Sequence, residues 1–224
     1  MNKAALVVAG GKGMRMGTSL PKQYLPLGGK PVLMHTLERF FQTDSSLLLI
    51  LVLPKEDFEY WTNLCASHGF DLPHQLVAGG SSRFQSVKNG LHALPFSQGL
   101  VAIHDGVRPF VLPEVILESF AIAQAHGSAI PAVPLKDSLR KVGAAGQSSF
   151  QDRANFRLVQ TPQTFQVERL LQAFQVDELP IFTDDATVYE HQGWEITLIE
   201  GNSENIKLTT PEDLAFAEFL TAAR

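Results

Sequence analysis

The sequence predicts one α/β domain in which helices cover a parallel or mixed sheet. Short apolar segments that resemble strands alternate along the chain with segments of helical periodicity. The 224 residues are enough for one such domain with a full core, and 45% hydrophobic and 18% charged residues are an ordinary globular balance. We therefore treat residues 1–224 as a single domain.

Six segments are predicted as strands. Residues 47–53 are apolar throughout, which is typical of a central strand covered on both faces. Residues 4–9 form another buried strand that leads directly into glycines. The other predicted strands are residues 75–78, 100–104, 129–133 and 195–199.

Helices are predicted to begin at prolines, because a proline in the first turn lacks only an N–H that has no partner there. Apolar residues recur at helical spacing after Pro31 and again after Pro113. Near the end of the chain, Thr210 can cap a helix that begins at Pro211.

Residues 136–156 interrupt this alternation, since they are rich in Ser, Gly, Lys, Arg and Gln. Composition alone favours a surface loop. A protruding hairpin that docks on a second subunit is the alternative.

Bulk properties exclude several classes of function. The net charge of −5 argues against a nucleic-acid partner held by general electrostatic attraction. The single cysteine, Cys65, cannot form an internal disulfide and fits a reducing compartment. The N-terminus lacks the pattern of a signal peptide, and no apolar run approaches the length of a membrane span. We expect a cytoplasmic protein without a membrane partner.

The segment AGGKGMRMGTSLPK, residues 9–22, is the most informative motif. Gly10, Gly11 and Gly13 let backbone N–H groups approach anionic oxygens, and Arg15 and Lys22 add positive charge. This combination suits a triphosphate that redistributes negative charge during substitution at phosphorus. A flexible turn with incidental charges is the alternative. The spacing matches neither a P-loop nor the dinucleotide fingerprint.

The segment His104-Asp105-Gly106-Val107-Arg108-Pro109 follows a predicted strand. Ligands bind at the carboxyl ends of strands in open α/β sheets, so Asp105 is a candidate ligand of Mg²⁺. The alternative is an aspartate that caps a turn. We interpret His104 as a packed or hydrogen-bonded residue, and Arg108 as a cation that could simply pair with a carboxylate and hold the loop.

Two further groups could bind substrates. In the segment 79–87, Gly80 and Ser86 could read the edge of a base, although Ser81 or Ser82 could equally be a helix cap. Arg153, Thr161 and Lys207 offer donors to a second phosphorylated substrate, although each could be a surface or capping residue. Asp184 and Asp185 are expected to start a helix, although one of them could accept a hydrogen bond from a substrate hydroxyl. No motif for an activated Ser or a zinc-binding helix is present, so covalent catalysis is unsupported.

Six blocks of the sequence resemble, in order, the 2-C-methyl-D-erythritol 4-phosphate cytidylyltransferase family of the non-mevalonate isoprenoid pathway. The resemblance extends from Ala5 to about Phe219. The blocks are AGGKGMRMG with PKQYLPLGGKPVL, GGSSRFQSV, HDGVRPF, QTPQTF, FTDDA and ENIKLTTPEDL.

The resemblance implies a three-layer α/β/α nucleotidyltransferase fold with a mostly parallel mixed sheet. It also implies that residues 136–156 form a β-arm that interlocks two subunits into a homodimer, which replaces the loop favoured by composition. The implied reaction joins CMP from CTP to the sugar-alcohol phosphate and releases pyrophosphate, with Mg²⁺ as cofactor.

By the same resemblance, residues take three roles. Arg15, Lys22 and Lys207 stabilise the transition state. The CTP and Mg²⁺ site is lined by Ala9, Gly10, Gly11, Gly13, Gly80, Ser86, Asp105 and Gly106, with Asp105 as the metal ligand. Arg108, Arg153, Thr161, Thr183 and Lys207 grip the acceptor, with Arg153 reaching across the dimer.

The chain departs from the family pattern at Gly10, where Ala is common, and at Phe156-Arg157, where Leu-Trp is common. A ribitol 5-phosphate cytidylyltransferase shares the glycine loop and the HDxVRP segment and is the nearest alternative, although FTDDA favours the methylerythritol enzymes. A non-catalytic nucleotide-binding module is a further alternative, against which Arg15, Lys22 and Asp105 all argue.

Overall fold

A computed structural model describes residues 1–10 and 20–223 of the chain. The strands are β1 (Lys3–Val8), β2 (Pro26–Leu27), β3 (Lys30–Pro31), β4 (Leu48–Leu53), β5 (Gln75–Ala78), β6 (Leu100–Asp105), β7 (Ser128–Pro134), β8 (Leu139–Val142), β9 (Ser148–Gln151), β10 (Arg157–Val159), β11 (Gln163–Gln166) and β12 (Leu198–Glu200). The helices are α1 (Val32–Thr43), α2 (Phe58–His68), α3 (Arg83–His92), α4 (Pro113–His126), α5 (Val167–Ala173), α6 (Asp185–Glu190) and α7 (Pro211–Ala222).

The central sheet is mixed and mostly parallel. Within the described residues it has eight strands, in the order β10-β7-β11-β6-β1-β4-β5, with β12 paired to β7. Strands β6, β1, β4 and β5 run parallel, whereas β11 is antiparallel to both β6 and β7. The carboxyl ends of four parallel strands therefore meet at one edge.

Helices cover both faces of this sheet, because the central strands are apolar on both sides. Leu6 and Val8 of β1 pack against α3, α5 and α6 on one face. Ala5 and Val7 point to the opposite face, which α1, α2 and α4 cover. The predicted three-layer α/β/α arrangement is confirmed.

Local signals marked the helix starts correctly. Helix α1 follows Pro31, and α4 has Pro113 in its first turn. Thr210 caps α7 through a reciprocal pair with Asp213. Asp184 caps α6 in the same way, with Thr187 as its partner, so the prediction that this acidic pair starts a helix is confirmed.

Residues 136–156 contain a hairpin, so the loop that composition favoured is wrong. Strands β8 and β9 pair antiparallel, and Gly143 N–H donates to the carbonyl of Gln147 at 2.8 Å to close the turn. Gly146 has a φ of 81°, which glycine adopts without strain. The hairpin is mostly exposed, which explains why its pattern lacked the apolar alternation of a half-buried strand.

The largest departures from the predicted elements lie late in the chain. Strand β12 is shifted from the predicted 195–199, and strands β10 and β11 were not predicted. Strand β11 is buried but carries Gln163, Thr164 and Gln166, so its polar sequence does not look like a core strand. No helix in the described part of the chain is long and apolar enough to cross a membrane.

Candidate active site

A cavity of about 730 Å³ lies at the sheet edge where β1, β4, β5 and β6 end. The segments that follow these four strands form most of its wall. The lining residues are Val8, Ala9, Gly10, Lys22, Gln23, Pro54, Lys55, Glu56, Gly79, Gly80, Ser81, Ser82, Arg83, Ser86, Asp105, Val107 and Lys207. The structure thus brings together Ala9, Gly10, Lys22, Gly80, Ser86, Asp105 and Lys207 from the predicted site.

The loop after β5 is shaped by serine hydroxyls. Ser82 caps α3 by accepting from the N–H of Gln85, which confirms the capping interpretation of this serine. The Ser86 hydroxyl accepts from Gly80 N–H at 3.1 Å and donates to the Ser82 carbonyl at 2.8 Å. Ser86 therefore holds the backbone that faces the cavity.

Asp105 is surrounded by cationic side chains. Its Oδ2 lies 3.0 Å from Lys207 Nζ and 3.3 Å from Arg108 Nε, and its Oδ1 lies 3.6 Å from Arg83 Nε. Burial alone raises the pKa of this carboxyl, but Arg83, Lys207 and Arg108 outweigh burial and hold the pKa well below its usual range. Asp105 is therefore an ionised carboxylate in the cavity wall.

His104 and Thr161 hold the backbone beside Asp105. The Thr161 hydroxyl accepts from Asp105 N–H at 3.1 Å and lies 3.0 Å from His104 Nδ1, while His104 Nε2 lies 3.0 Å from the Arg108 carbonyl. Because a carbonyl only accepts, Nε2 carries the proton and Nδ1 accepts from Thr161. Burial lowers the pKa of His104 to about 4, so the ring is neutral, as a packed histidine should be.

Lys22 is placed by a short helical turn at Lys22–Tyr24. Tyr24 is buried, and its hydroxyl donates to Asp57 Oδ2 at 2.9 Å, which ties this turn to the segment after β4. Burial and the hydrogen bond to Asp57 raise the pKa of Tyr24. The anchored tyrosine fixes the backbone from which Lys22 reaches the cavity.

Arg108 and Gly106 determine the course of the backbone in the loop after β6. Arg108 contacts Asp105 and donates to the Asn205 carbonyl at 2.7 Å, which matches the loop-holding interpretation. A Cβ on Gly106 would lie 2.8 Å from the Cβ of Ala9, so the two loops can approach only at a glycine. A Cβ on Gly10 would meet Ser86 Oγ at an ordinary 3.7 Å, so an Ala there fits as well.

Several predicted site residues lie elsewhere. Gly11, Gly13 and Arg15 lie outside the described residues. Thr183 does not line the cavity. The Thr161 hydroxyl is occupied by Asp105 and His104, and Arg153 is exposed near the hairpin and donates to the Lys136 carbonyl. The roles of Thr161, Thr183 and Arg153 toward an acceptor stay predictions.

Arg83 is a site residue that sequence reasoning missed. It begins α3, where the helix dipole disfavours a cation. A positive side chain in the first turn of a helix therefore indicates that a carboxylate lies close to it. Here Asp105 and Asp185 are the carboxylates that pair with Arg83. Burial alone disfavours the charged guanidinium, but the two carboxylates outweigh it and raise the pKa of Arg83.

Comparisons with known proteins agree with this geometry. Residues 3–223 match the family model described as 2-C-methyl-D-erythritol 4-phosphate cytidylyltransferase. A relative of that name from Bacteroides thetaiotaomicron is 51% identical over 98% of this chain and 100% of its own length. Another, from Porphyromonas gingivalis, is 48% identical over 96% of both chains.

The chain belongs to the 2-C-methyl-D-erythritol 4-phosphate cytidylyltransferase family. The family, the fold class and the enzyme class predicted from sequence are confirmed.

Solved structures support the same family. The 4-diphosphocytidyl-2C-methyl-D-erythritol synthase of Anaerococcus prevotii superposes with a TM-score of 0.86 at 27% identity, covering 99% of this chain and 96% of that one. The 2-C-methyl-D-erythritol 4-phosphate cytidylyltransferase of Thermus thermophilus superposes with a TM-score of 0.77 at 29% identity, over 99% of this chain and all of that one.

Proposed function

We propose that this chain transfers CMP from CTP to 2-C-methyl-D-erythritol 4-phosphate in isoprenoid precursor biosynthesis. The products are 4-diphosphocytidyl-2-C-methyl-D-erythritol and pyrophosphate. The observation that carries the proposal is a single cavity in which Lys22, Lys207 and Asp105 lie beside the backbone of Gly10 and Gly80. Family membership supplies the identity of both substrates.

The chemistry needs charge and alignment more than proton transfer. A phosphate oxygen of the acceptor attacks the α-phosphorus of CTP, a new P–O bond forms, and the bond to the bridging oxygen breaks so that pyrophosphate leaves with the electron pair. The attacking oxygen is already ionised near neutral pH, so no protein base is required. Lys22 and Lys207 offer the positive charge that favours this transfer, and Arg15 is assigned the same role from the sequence.

Mg²⁺ is the proposed cofactor, held by Asp105 and the phosphates of CTP. Asp105 fits this role because it is an ionised oxygen ligand in the cavity wall, and because the Lys207 side chain beside it is 40% exposed and can move away. Within residues 1–10 and 20–223, no cluster of three or more His, Cys, Asp or Glu could hold a metal. Phosphate oxygens and water would supply the other ligands, and the bound ion would neutralise phosphate charge.

We propose that Arg108, Arg153, Thr161 and Thr183 contribute to the acceptor site. Arg153 is exposed near the hairpin, which suits a residue that serves the cavity of a second subunit. Thr161 and Arg108 would contribute through the backbone and charge that they hold around Asp105.

A homodimer joined through residues 136–156 is the proposed assembly. The hairpin exposes Val142 and Phe150, whose side chains are 66% and 70% exposed, and Phe156 follows it at 38%. Apolar side chains on a protruding element are typical of a surface that a partner covers. We place the enzyme in the cytoplasm, without nucleic-acid or membrane partners, on the basis of the net charge of −5 and the single cysteine.

One assay tests the reaction. The purified protein is incubated with CTP and Mg²⁺, and pyrophosphate release is compared between 2-C-methyl-D-erythritol 4-phosphate and ribitol 5-phosphate. We expect a higher kcat/KM with the methylerythritol acceptor. Preference for ribitol 5-phosphate would support the alternative acceptor, and CTP binding without pyrophosphate from either acceptor would support a non-catalytic module.

A further inference from the structure

Arg83 and Asp185 form a buried ion pair beside the carboxylate of Asp105. The two terminal nitrogens of Arg83 donate to the two oxygens of Asp185, at 2.9 Å for Nη1–Oδ1 and 2.6 Å for Nη2–Oδ2. Asp185 is completely buried. The remaining Nε of Arg83 lies 3.6 Å from Asp105 Oδ1, which is longer than a hydrogen bond. Arg83 is therefore shared between two carboxylates, and Asp185 holds it more tightly.

The position of Asp185 is fixed by the sheet. Asp185 is the first residue of α6, and Gln163 of β11 holds the start of that helix. Gln163 Nε2 donates to Asp184 Oδ2 at 2.8 Å, and its Oε1 accepts from Ala186 N–H at 2.9 Å. Strand β11 pairs directly with β6, which ends at Asp105. The sheet therefore holds the start of α6, through Gln163, close to Asp105.

This arrangement determines which positively charged side chains contact the Asp105 carboxylate. Arg108 and Lys207 already lie within 3.3 Å of Asp105 Oδ2. A bidentate arginine is the strongest common partner of a carboxylate. If Asp185 did not occupy both terminal nitrogens of Arg83, that guanidinium could turn its fork onto Asp105 and compete with any metal ion for the same oxygens.

We propose that Asp185 is a positioning residue, which draws Arg83 away from Asp105 and so keeps that carboxylate available to the metal–nucleotide complex. The inference rests on the proposed function, because it takes Asp105 as the carboxylate that meets Mg²⁺ and CTP. It also gives a role to the second aspartate of the FTDDA segment.

The test is the substitution Asp185→Asn, which keeps the size of the buried side chain but removes its charge. We expect the Mg²⁺ concentration for half-maximal turnover to rise about tenfold or more, the scale seen when a group that orients a metal ligand is lost. The kcat at saturating Mg²⁺ should change less than this midpoint. As a readout independent of turnover, Mn²⁺ binding in the presence of CTP alone, followed by electron paramagnetic resonance, should weaken by a similar factor.

A matched control is Asp184→Asn. Asp184 caps the same helix, and Asn is an equally good cap. The hydrogen bonds of Asp184 go to Thr187 and Gln163, and its charge acts on Arg83 more weakly than the charges of Asp185 and Asp105. This variant should keep the native Mg²⁺ midpoint. An equal rise in both variants would overturn the proposal, because the effect would then come from the helix start.

A second substitution distinguishes an effect of the Arg83 charge from an effect on folding. Adding Arg83→Gln to Asp185→Asn removes the cation that the proposal says is misdirected, so the Mg²⁺ midpoint should return to the native value or below it. A midpoint that stays tenfold high in the double variant would overturn the proposal, and this result decides the matter even if Asp185→Asn alone fails to fold.

The outcome is separable from the proposed function. A native protein that releases pyrophosphate, together with an Asp185→Asn variant of unchanged Mg²⁺ midpoint and Mn²⁺ affinity, would overturn only the role of Asp185. A native protein that releases no pyrophosphate from either acceptor would overturn the proposed function, and the Mn²⁺ measurement with CTP would still test the role of Asp185.

Discussion

At the scale of single residues, the site is a balance of charge around one carboxylate. Asp105 is ionised because Arg83, Arg108 and Lys207 offset the burial that would otherwise neutralise it. Lys22 reaches the same cavity from a separate turn that Tyr24 anchors. The cavity therefore brings cations from several segments together around the Asp105 carboxylate.

Replacing Lys22 by alanine should lower kcat by roughly 100-fold or more, the scale expected when one preorganised donor to the transition state is lost. The measurement is steady-state pyrophosphate release at saturating CTP and acceptor. Lys88→Ala is the control, because Lys88 lies over the ring of Phe84 and does not line the cavity. A Lys22→Ala enzyme with near-native kcat would reject the role of Lys22.

A pH effect on stability is expected at His74, remote from the cavity. Trp61 Nε1 donates to His74 Nε2 at 2.9 Å, and His74 Nδ1 lies 2.7 Å from the Leu72 carbonyl, so the ring is neutral. Burial lowers the pKa of His74 in the folded state below its ordinary value of about 6.5. The unfolded chain therefore takes up the proton first, and stability is lost as the pH falls below about 6.5 toward the folded pKa.

Urea unfolding at pH 8 and pH 5.5 measures this effect. The native protein should lose more unfolding free energy between these values than His74→Gln, whose amide can still accept from Trp61. Substitution of the exposed His92 by Gln should leave the pH dependence as it is. Identical losses in the native protein and His74→Gln would contradict the assignment.

At the scale of elements, helix α3 joins the core to the cavity. Its first turn presents Arg83 and Ser86 to the site, and its middle packs on the sheet. Gly90 makes that packing possible, because a Cβ there would lie 2.6 Å from Leu6 Cδ2 and 3.1 Å from Val52 Cγ2. Both contacts are to completely buried side chains of the central strands.

Gly90→Ala should destabilise the protein by about 1–3 kcal/mol, the usual cost of overpacking a core. The higher helix propensity of Ala, about 1 kcal/mol, acts in the opposite direction and is not enough to offset a clash with two completely buried side chains. The free energy of unfolding in urea measures the net effect. Asn63 of α2 is exposed, so Asn63→Ala changes only helix propensity and should leave the free energy of unfolding equal or slightly higher. An equal increase for Gly90→Ala would show that the core relaxes to accept the added methyl group.

At the scale of the whole molecule, the functional segments come from two halves of the sheet. The cavity lies at the carboxyl ends of β1, β4, β5 and β6, whereas the hairpin of β8 and β9 extends from the other half of the sheet, after β7. Arg153 lies two residues after the end of β9 and does not line the cavity of its own chain. Its proposed role toward the acceptor therefore depends on the proposed dimer.

If the proposed dimer forms, Phe150→Asp should convert it to a monomer and lower kcat/KM for the acceptor, because a charge would replace an apolar side chain on the proposed interface. Sedimentation velocity measures the assembly. Phe219→Asp is the matched control, since Phe219 of α7 is 66% exposed against 70% for Phe150 but lies outside the hairpin. If the native protein sediments as a monomer, or if both variants remain dimers, the hairpin is not the interface.

Local chemistry was readable from the sequence because its signals lie within a few residues. Pro31, Pro113 and Thr210 marked helix starts. The phosphate loop that the glycines before Lys22 predict stays a prediction, because residues 11–19 lie outside the described residues. Asp105 was recognisable because it ends an apolar strand, and the edge of an α/β sheet is where ligands bind. The order of the six motif blocks then identified the family, and with it the hairpin that composition alone had missed.

The sequence by itself thus determined the fold class, the family and seven of the seventeen residues that line the cavity. Only the tertiary structure decided that the Thr161 hydroxyl serves Asp105 and His104, and that Arg83 is shared between Asp105 and Asp185. It also decided the place of β11, whose Gln163 and Thr164 are buried and which lies between two strands. These features join groups 22 to 102 residues apart in the chain, and their partners depend on strand order and burial, which no short window of sequence encodes.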